Sequence, residues 1–341
     1  MSLTKKQLET RKKGISATDV AAILGLNPYR RPINVWLDKT QPVQDEEPNQ
    51  RLELGHVFEK HIADYYAHRH APDGKWRRLY APKTTLVHPN IEWVLATPDR
   101  FVFEIPIPDG DGHLPRGLKQ LATDGKASHL AEIKLVGPYT VKDWISDREV
   151  EMDEADRIPM YVFCQCQWQL LVTGYQRVDV PALLGGTHFS VFEIARDQKF
   201  IDDAMTICSD FRKKYILTGA EPPPDGSAKY TDYMRNKYPG QANAKMLPAP
   251  EFVEEMVREY QALGSQIKEC KSKQDELSQM IKTAIGDSDG IEGDWGKATW
   301  RLGNGRVDFK KLVSDLGISQ ATLDKYRKPG RTFRTTLRAN K

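Results

Sequence analysis

Apolar positions in the first two-thirds of the chain follow two different spacings. Leu54 to Tyr66 carries Val57, Phe58, Ile62, Tyr65 and Tyr66 at helical spacing, and Met160 to Thr173 reads as a second apolar helix on which Gln165 and Gln169 share a face. Asn90 to Phe103 reads as a strand, a turn at Thr97-Pro98, and a second strand starting beside Asp99. Leu130 to Val136 is a short apolar strand interrupted by two charges. Side chains alternate across a strand, so Glu132 and Lys134 project from one face and Ile133 from the other. Near the N-terminus, Ser16 and Asp19 have capping-box spacing for a helix that ends at Gly25.

A new rhythm begins near Glu251. Met256, Leu263, Cys270, Leu277 and Ala284 recur every seven residues, interleaved with Tyr260, Ile267, Gln274 and Ile281 at the same period. This heptad pattern predicts a long helix packing along one seam, in an oligomer or an intrachain hairpin. Lys297 to Leu302 and Arg331 to Leu337 read as short strands, with a helix around Val307 to Leu316. The stretch Glu221-Pro-Pro-Pro-Asp225 and the Gly/Pro/Asn-rich residues after it read as a linker. The expected division is an α/β domain over 1–222, a linker over 223–249, and a C-terminal part over 250–341 made of the heptad helix, a small α/β cap and a basic tail.

Composition narrows the class. Apolar residues make up 39% and charged residues 28% of the 341 positions, which fits a globular chain. No run approaches the roughly 20 apolar residues that span a bilayer, and the polar N-terminus lacks an apolar signal region, so a cytoplasmic protein without a membrane partner is expected. Four cysteines, Cys164, Cys166, Cys208 and Cys270, are too few and too irregular for a disulfide framework, and reduced, buried thiols are expected. The net charge of +3 is unevenly distributed: residues 325 to 341 hold seven basic side chains and no acid, leaving −4 on the rest. A basic tail suits a polyanion, with Arg327, Lys328, Arg331 and Arg334 as candidate non-specific DNA contacts; a solubilising role fits the same charge.

The pairing of an acid and a lysine on one face of an apolar strand points to phosphodiester hydrolysis. Hard divalent cations need oxygen ligands, and carboxylates from neighbouring strands supply them, while an adjacent lysine can orient the attacking water or stabilise transition-state charge. Asp99, Glu132 and Lys134 have the residue types for this. Two other stretches, Pro108-Asp109 and Asp124-Gly-Lys126, match parts of the pattern but lack the apolar frame of Leu130, Ala131, Leu135 and Val136. Glu59, at the edge of its helix's apolar face, could add a metal ligand, and the Gln165 and Gln169 amides could hydrogen-bond the lysine, a water or a DNA backbone. Ser16 and Thr18, with Arg11, Lys12 and Lys13 just before them, form either a capped helix start or an anion site; the two are compatible.

In order along the chain, Arg11 with Thr18-Asp19, Gly55 with Glu59, Pro98-Asp99, Glu132-Ile133-Lys134 and Gln165-x-Gln167 followed by Leu171-Val-Thr resemble the motifs of the YqaJ-like viral recombinase (phage lambda exonuclease-like) family, a branch of the PD-(D/E)XK nucleases. The match covers roughly residues 8 to 220. It implies an α/β fold with a central mixed sheet flanked by helices, as in restriction endonucleases. The implied activity is a Mg²⁺-dependent exonuclease that degrades one strand of linear double-stranded DNA in the 5′ to 3′ direction and feeds single strands to an annealing protein for recombination. The resemblance also implies two Mg²⁺ per site, with Mn²⁺ as a substitute. Asp99, Glu132, the Ile133 carbonyl and Glu59 would bind metal, Lys134 supported by Gln165 would activate water, and Arg11 and Thr18 would hold the 5′ phosphate. A homo-oligomer is implied, with a trimeric ring as the family's form, in a bacterial or phage-infected cell. A structure- or sequence-specific endonuclease with the same metal core and a non-catalytic DNA-binding scaffold are the competing readings. The chain departs from the family in having Val162 where a tyrosine is common, with Tyr161 one position away, and in a long insert between Asp99 and Glu132.

Overall fold

The computed structural model describes residues 5–42, 50–69, 72–73, 75–106, 125–144, 158–238, 247–301, 305 and 307–326. The chain divides into two units, Met1–Lys237 and Tyr238–Lys341. In the first, helices α1 (Lys5–Lys12), α2 (Ala17–Ile23), α3 (Pro32–Thr40) and α4 (Gln50–Arg69) precede most of the strands, with β1 (Ile15–Ser16) between α1 and α2. Strands β2 (Lys75–Tyr80), β3 (Leu86–His88), β4 (Ile91–Ala96), β5 (Arg100–Pro106), β6 (His129–Ala131) and β7 (Lys134–Val136) follow. Helix α5 (Met160–Thr173) then crosses to β8 (Arg177–Leu184), which turns into β9 (His188–Ala195) and α6 (Gln198–Phe211).

The main sheet is mixed. Strands β2, β5 and β6 are antiparallel neighbours, β6 and β7 both run parallel to β8, and β9 pairs antiparallel with β8. A parallel pair needs a crossover long enough to return the chain, and α5 supplies it between β7 and β8. That connection lays α5 on one face of the sheet. Val162, Cys166 and Leu170 of α5 pack there with Leu130, Phe101, Val178 and Val180. Helix α4 covers the other face, where Ile62, Ala63 and Tyr66 meet Val102, Ala131 and Ile133. Each large apolar side chain so buried contributes about 1.5–3 kcal/mol. After Arg177, strand β8 is buried along most of its length and reads as an apolar run interrupted by Asp179. This is the α/β architecture expected, a central mixed sheet flanked by helices.

The single strand expected over Leu130–Val136 is two short ones. Ladder pairing with β8 stops after Ala131 and resumes at Lys134. The pleat nevertheless continues through the gap: Leu130 faces α5, Ala131 and Ile133 face α4, and Glu132 and Lys134 face α5. A second sheet of β1, β4 and β3 carries the chain into α2, with Ile15 beside Val94. Gly14 is required there, because a Cβ would lie 2.3 Å from the Trp93 carbonyl oxygen.

The first unit runs past the expected boundary at 222. Within the segment read as a linker, Ala228–Lys237 forms helix α7, whose Tyr230 is buried with Trp36 and Ile33 in the core beside α3. One aromatic side chain docking into that core outweighs the loop-like composition around it. In the second unit α8 (Glu251–Ile285) is the heptad helix, with Met256, Leu263, Ile267 and Leu277 at least half exposed along its seam. Cys270 on that seam is exposed, correcting the expectation of four buried thiols; Cys164, Cys166 and Cys208 are buried, and all four are free. A hairpin of β10 (Gly290–Gly293) and β11 (Gly296–Thr299) follows, then α9 (Phe309–Asp315), capped by the Asp308 carboxylate, and α10 (Gln320–Lys325). The strand expected over Arg331–Leu337 and the tail residues Arg327, Lys328, Arg331 and Arg334 lie outside the described residues, as does most of the insert between Asp99 and Glu132. No described helix is long and apolar enough to cross a membrane.

Candidate active site

The register of the sheet decides where the acids meet. Arg100 pairs with Ala131 and Phe101 with Leu130, so one step further along the same antiparallel register places Asp99 opposite Glu132. Asp99 also precedes Phe101 by two residues, which puts its side chain on the α5 face with Glu132. The Asp99 Oδ2 accepts a 2.8 Å hydrogen bond from the Ile133 N–H, in the gap between β6 and β7.

Glu132 is the hub. Its Oε1 accepts from Lys134 Nζ at 2.7 Å and from Gln165 Nε2 at 2.6 Å, and its Oε2 accepts from Gln169 Nε2 at 2.7 Å. Lys134 Nζ also donates to Gln165 Oε1 at 3.1 Å. Glu132 is 3% exposed, whereas the Lys134 side chain is 22% exposed, so the lysine forms the open side of the cluster. Burial and then the charge of Glu132 push the Asp99 carboxyl up to about 8. For Lys134, burial would favour loss of the proton, but the charges of Glu132 and Asp99 outweigh it and hold the ammonium above the ordinary lysine range.

Glu59 is turned to a different partner. Arg100 Nη1 donates to Glu59 Oε1 at 2.8 Å and to the Asp99 carbonyl at 2.7 Å, tying the helix acid to the start of β5. Among the described residues no three histidine, cysteine or carboxylate side chains gather as a metal-binding cluster. What the site holds is two carboxylates, the buried Glu132 and the partly buried Asp99. Their crowding and hard oxygen donors fit a divalent cation that keeps several waters, as Mg²⁺ does. A buried amide oxygen, Gln169 Oε1, has no hydrogen-bond partner.

The N-terminal candidates also come together. Arg11 Nη2 donates to Ser16 Oγ at 3.0 Å and to Thr18 Oγ1 at the start of α2. Asp19 accepts from the Ser16 N–H at 2.9 Å and from its hydroxyl at 2.7 Å, completing the cap from the acid's side. Lys39 and Arg30 converge on the same buried carboxylate at 2.7 and 2.9 Å. Burial would raise the Asp19 carboxyl, but Lys39, Arg30 and Arg11 outweigh it and hold it well below the usual carboxylate range.

Two features have little or no signal in the chain. Gln169 reaches the right face by its i+4 spacing from Gln165, but nothing in that spacing says that it holds the second oxygen of Glu132. On the α4 face, Tyr66 donates to Asp179 and meets His129 Nε2 at 3.0 Å, and Arg177 joins both. Residues 66, 129, 177 and 179 share no local pattern, so only the fold reveals this network. It ties β6 to β8 immediately before Glu132 leaves the ladder, and the Glu132 N–H still donates to the Asp179 carbonyl at 2.9 Å.

Comparison with known proteins places these motifs in context. Residues 6–176 match the model of the YqaJ-like viral recombinase domain. The chain is 29% identical over 307 residues to "Uncharacterized protein YqaJ" of Bacillus subtilis, covering 89% of this chain and 85% of that one. Among solved structures, it resembles an alkaline exonuclease from Laribacter hongkongensis (TM-score 0.44, 18% identity, 69% of this chain and 99% of that chain). It also resembles a phage related exonuclease from Haemophilus somnus (TM-score 0.40, 11% identity, 60% and 94%).

Proposed function

The chain belongs to the YqaJ-like viral recombinase domain family, and from that premise we propose that it is a Mg²⁺-dependent exonuclease on linear double-stranded DNA. It removes one strand from the 5′ end and leaves single strands for an annealing protein during recombination. The observation that carries this reading is the mutual hydrogen bonding of Glu132, Lys134 and Gln165 beside Asp99, whose carboxyl is held by the Ile133 N–H.

Asp99 and Glu132 would hold the cation, together with the Ile133 backbone carbonyl. Glu59, whose Oε1 accepts from Arg100, is the further acid that would serve a second ion. The bound cation supplies Lewis acidity, lowering the pKa of a water and stabilising the leaving oxygen. In the cation-free protein the charge of Glu132 above all holds Lys134 protonated, and in that form it serves as a donor and not as a base. An ammonium has three N–H groups, of which Glu132 and Gln165 take two, and the third would serve the attacking water or a phosphate oxygen. Gln165 and Gln169 fix the plane of the Glu132 carboxylate from one helix. Arg11, Ser16 and Thr18 at the start of α2 take the 5′ phosphate, where N–H groups and a guanidinium favour an anion. Oligomerisation into a ring around the duplex, and hand-over to an annealing partner, follow from the family reading.

The test uses the full chain with Mg²⁺ on 5′-phosphorylated linear duplex and on covalently closed circles. Progressive shortening of the linear substrate alone is expected, with activity down at least about 100-fold in Lys134→Ala and Glu132→Gln and the circular dichroism spectrum retained. Cutting of closed circles would convert the reading to an endonuclease. Cleavage persisting in the Lys134→Ala protein would remove the role given to that lysine.

A further inference from the structure

One stripe of α5 leads out of the active site. Tyr161, Gln165 and Gln169 are spaced four residues apart and therefore lie one above another on the helix. Gln169 is fully buried, Gln165 is partly covered, and Tyr161 stands at the outer end. The residue at the neighbouring position, Val162, is buried in the core and takes no part in the site. Tyr161 faces Lys134 closely enough for that ammonium to act on its phenol, together with Tyr29, Asp143 and Arg51. The Arg51 guanidinium in turn lies 3.3 Å from where a Gly137 side chain would project, just beyond the end of β7.

Against Tyr161 stands a second aromatic ring. Tyr29 meets it at 5.9 Å between centroids and an interplanar angle of 81°, and Tyr29 itself is 50% exposed. Its position is fixed by the backbone. Asn27 Oδ1 accepts from the N–H groups of Tyr29 and Arg30 at 2.8 and 3.1 Å, and the Arg30 side chain is anchored on Asp19. A large aromatic side chain is thus held half in water against Tyr161, the outer residue of the stripe. Its tilt is set by a partly buried partner.

We propose that Tyr29, buttressed edge-on by Tyr161, is an aromatic platform at the mouth of the Glu132–Lys134 centre that stacks the base of the nucleotide next to the scissile phosphate. Every base has a π-face, so such a platform grips a strand without reading its sequence. Lys134 and Arg51, both near enough to Tyr161 to act on its phenol, supply positive charge for the adjoining phosphates. The proposal rests on the nuclease reading above and adds a base subsite to it.

The experiment compares 5′-phosphorylated duplexes that carry either an ordinary or an abasic nucleotide at the terminal position. Both cleavage and equilibrium binding in Ca²⁺ are measured. Wild-type protein is expected to favour the ordinary end about tenfold, through KM and binding, in line with the usual value of one stacked base. Tyr29→Ala abolishes that preference by weakening the ordinary end alone, whereas Tyr29→Phe and Tyr29→Trp keep it, because the ring and not the hydroxyl carries the contact. A tenfold preference surviving in Tyr29→Ala, or no preference in the wild type, overturns the platform. If the wild type cleaves neither duplex, the nuclease reading fails on its own, and the binding comparison still decides whether Tyr29 receives a base.

Discussion

Asp99 lies among groups that oppose its ionisation. Burial and the neighbouring Glu132 charge push its carboxyl up to about 8, from 3.8 for an ordinary aspartate. In the cation-free protein Asp99 is therefore protonated at neutral pH, and a cation must displace that proton to use the oxygen. Apparent Mg²⁺ affinity should rise with pH up to about 8 and level off above it. Binding at pH 7 should release close to one proton, measurable by calorimetry in buffers of different ionisation enthalpy, and Asp99→Asn should abolish the release. A flat affinity between pH 6.5 and 8.5 would show that Asp99 is already ionised. The stability sign runs the other way: a carboxyl raised on folding contributes stability at low pH that is lost as pH rises through the folded value. Cation-free protein should thus be less heat-stable at pH 9 than at pH 6, and Asp99→Asn should reduce that difference. At this scale the chain already pointed to Asp99, Glu132, Lys134 and Gln165, because an acid-x-lysine pair inside an apolar strand is a local pattern. The pairing of Glu59 with Arg100 was not legible, since it depends on how far α4 reaches over β5.

Each element is held by contacts its own sequence only partly announces. The start of α2 shows its cap in Ser16 and Asp19, yet the cations that neutralise Asp19 come from α3 and the loop before it. Lys39 is 4% exposed and also donates to the Arg11 carbonyl at 2.7 Å, so it joins α1, α2 and α3 at one point. Replacing it, as Lys39→Met, leaves a buried carboxylate short of a partner and should cost about 3 kcal/mol in urea unfolding at pH 7. The Asp19 carboxyl is lowered on folding, so its stabilisation is present above the ordinary carboxylate range and is lost as pH falls. The gap between wild type and variant should accordingly narrow below about pH 4; a gap independent of pH would mean that Lys39 acts by packing alone. Helix α5 and strands β4 and β5 appear where periodicity placed them. The break between β6 and β7 is invisible to periodicity because the apolar pattern runs through it unchanged while only the backbone pairing stops. Helix α7 is masked by Pro and Gly on either side of ten residues that fold by docking Tyr230.

The two units differ in how they expose apolar surface. The first buries its helices against the sheet, whereas α8 in the second leaves Met256, Leu263, Ile267 and Leu277 largely in water. The charge imbalance is likewise confined to one end, residues 325 to 341. If that tail binds DNA, deleting it should weaken binding at 50 mM salt and make the plot of log affinity against log salt shallower, by about 0.9 for each phosphate that the tail had neutralised. An unaltered slope would return the tail to a solubilising role. By itself the sequence determined the fold class through its family resemblance and singled out Asp99, Glu132, Lys134 and Gln165 as candidates, because strand alternation, helix spacing and charge in an apolar frame are short-range properties carried by adjacent residues. Only the tertiary structure decided that Asp99 stands opposite Glu132, that Gln169 grips that acid's second oxygen, and that Tyr29 meets Tyr161. Those meetings depend on sheet register and on a crossover helix lying over one face, which bring together residues that are tens to more than a hundred positions apart.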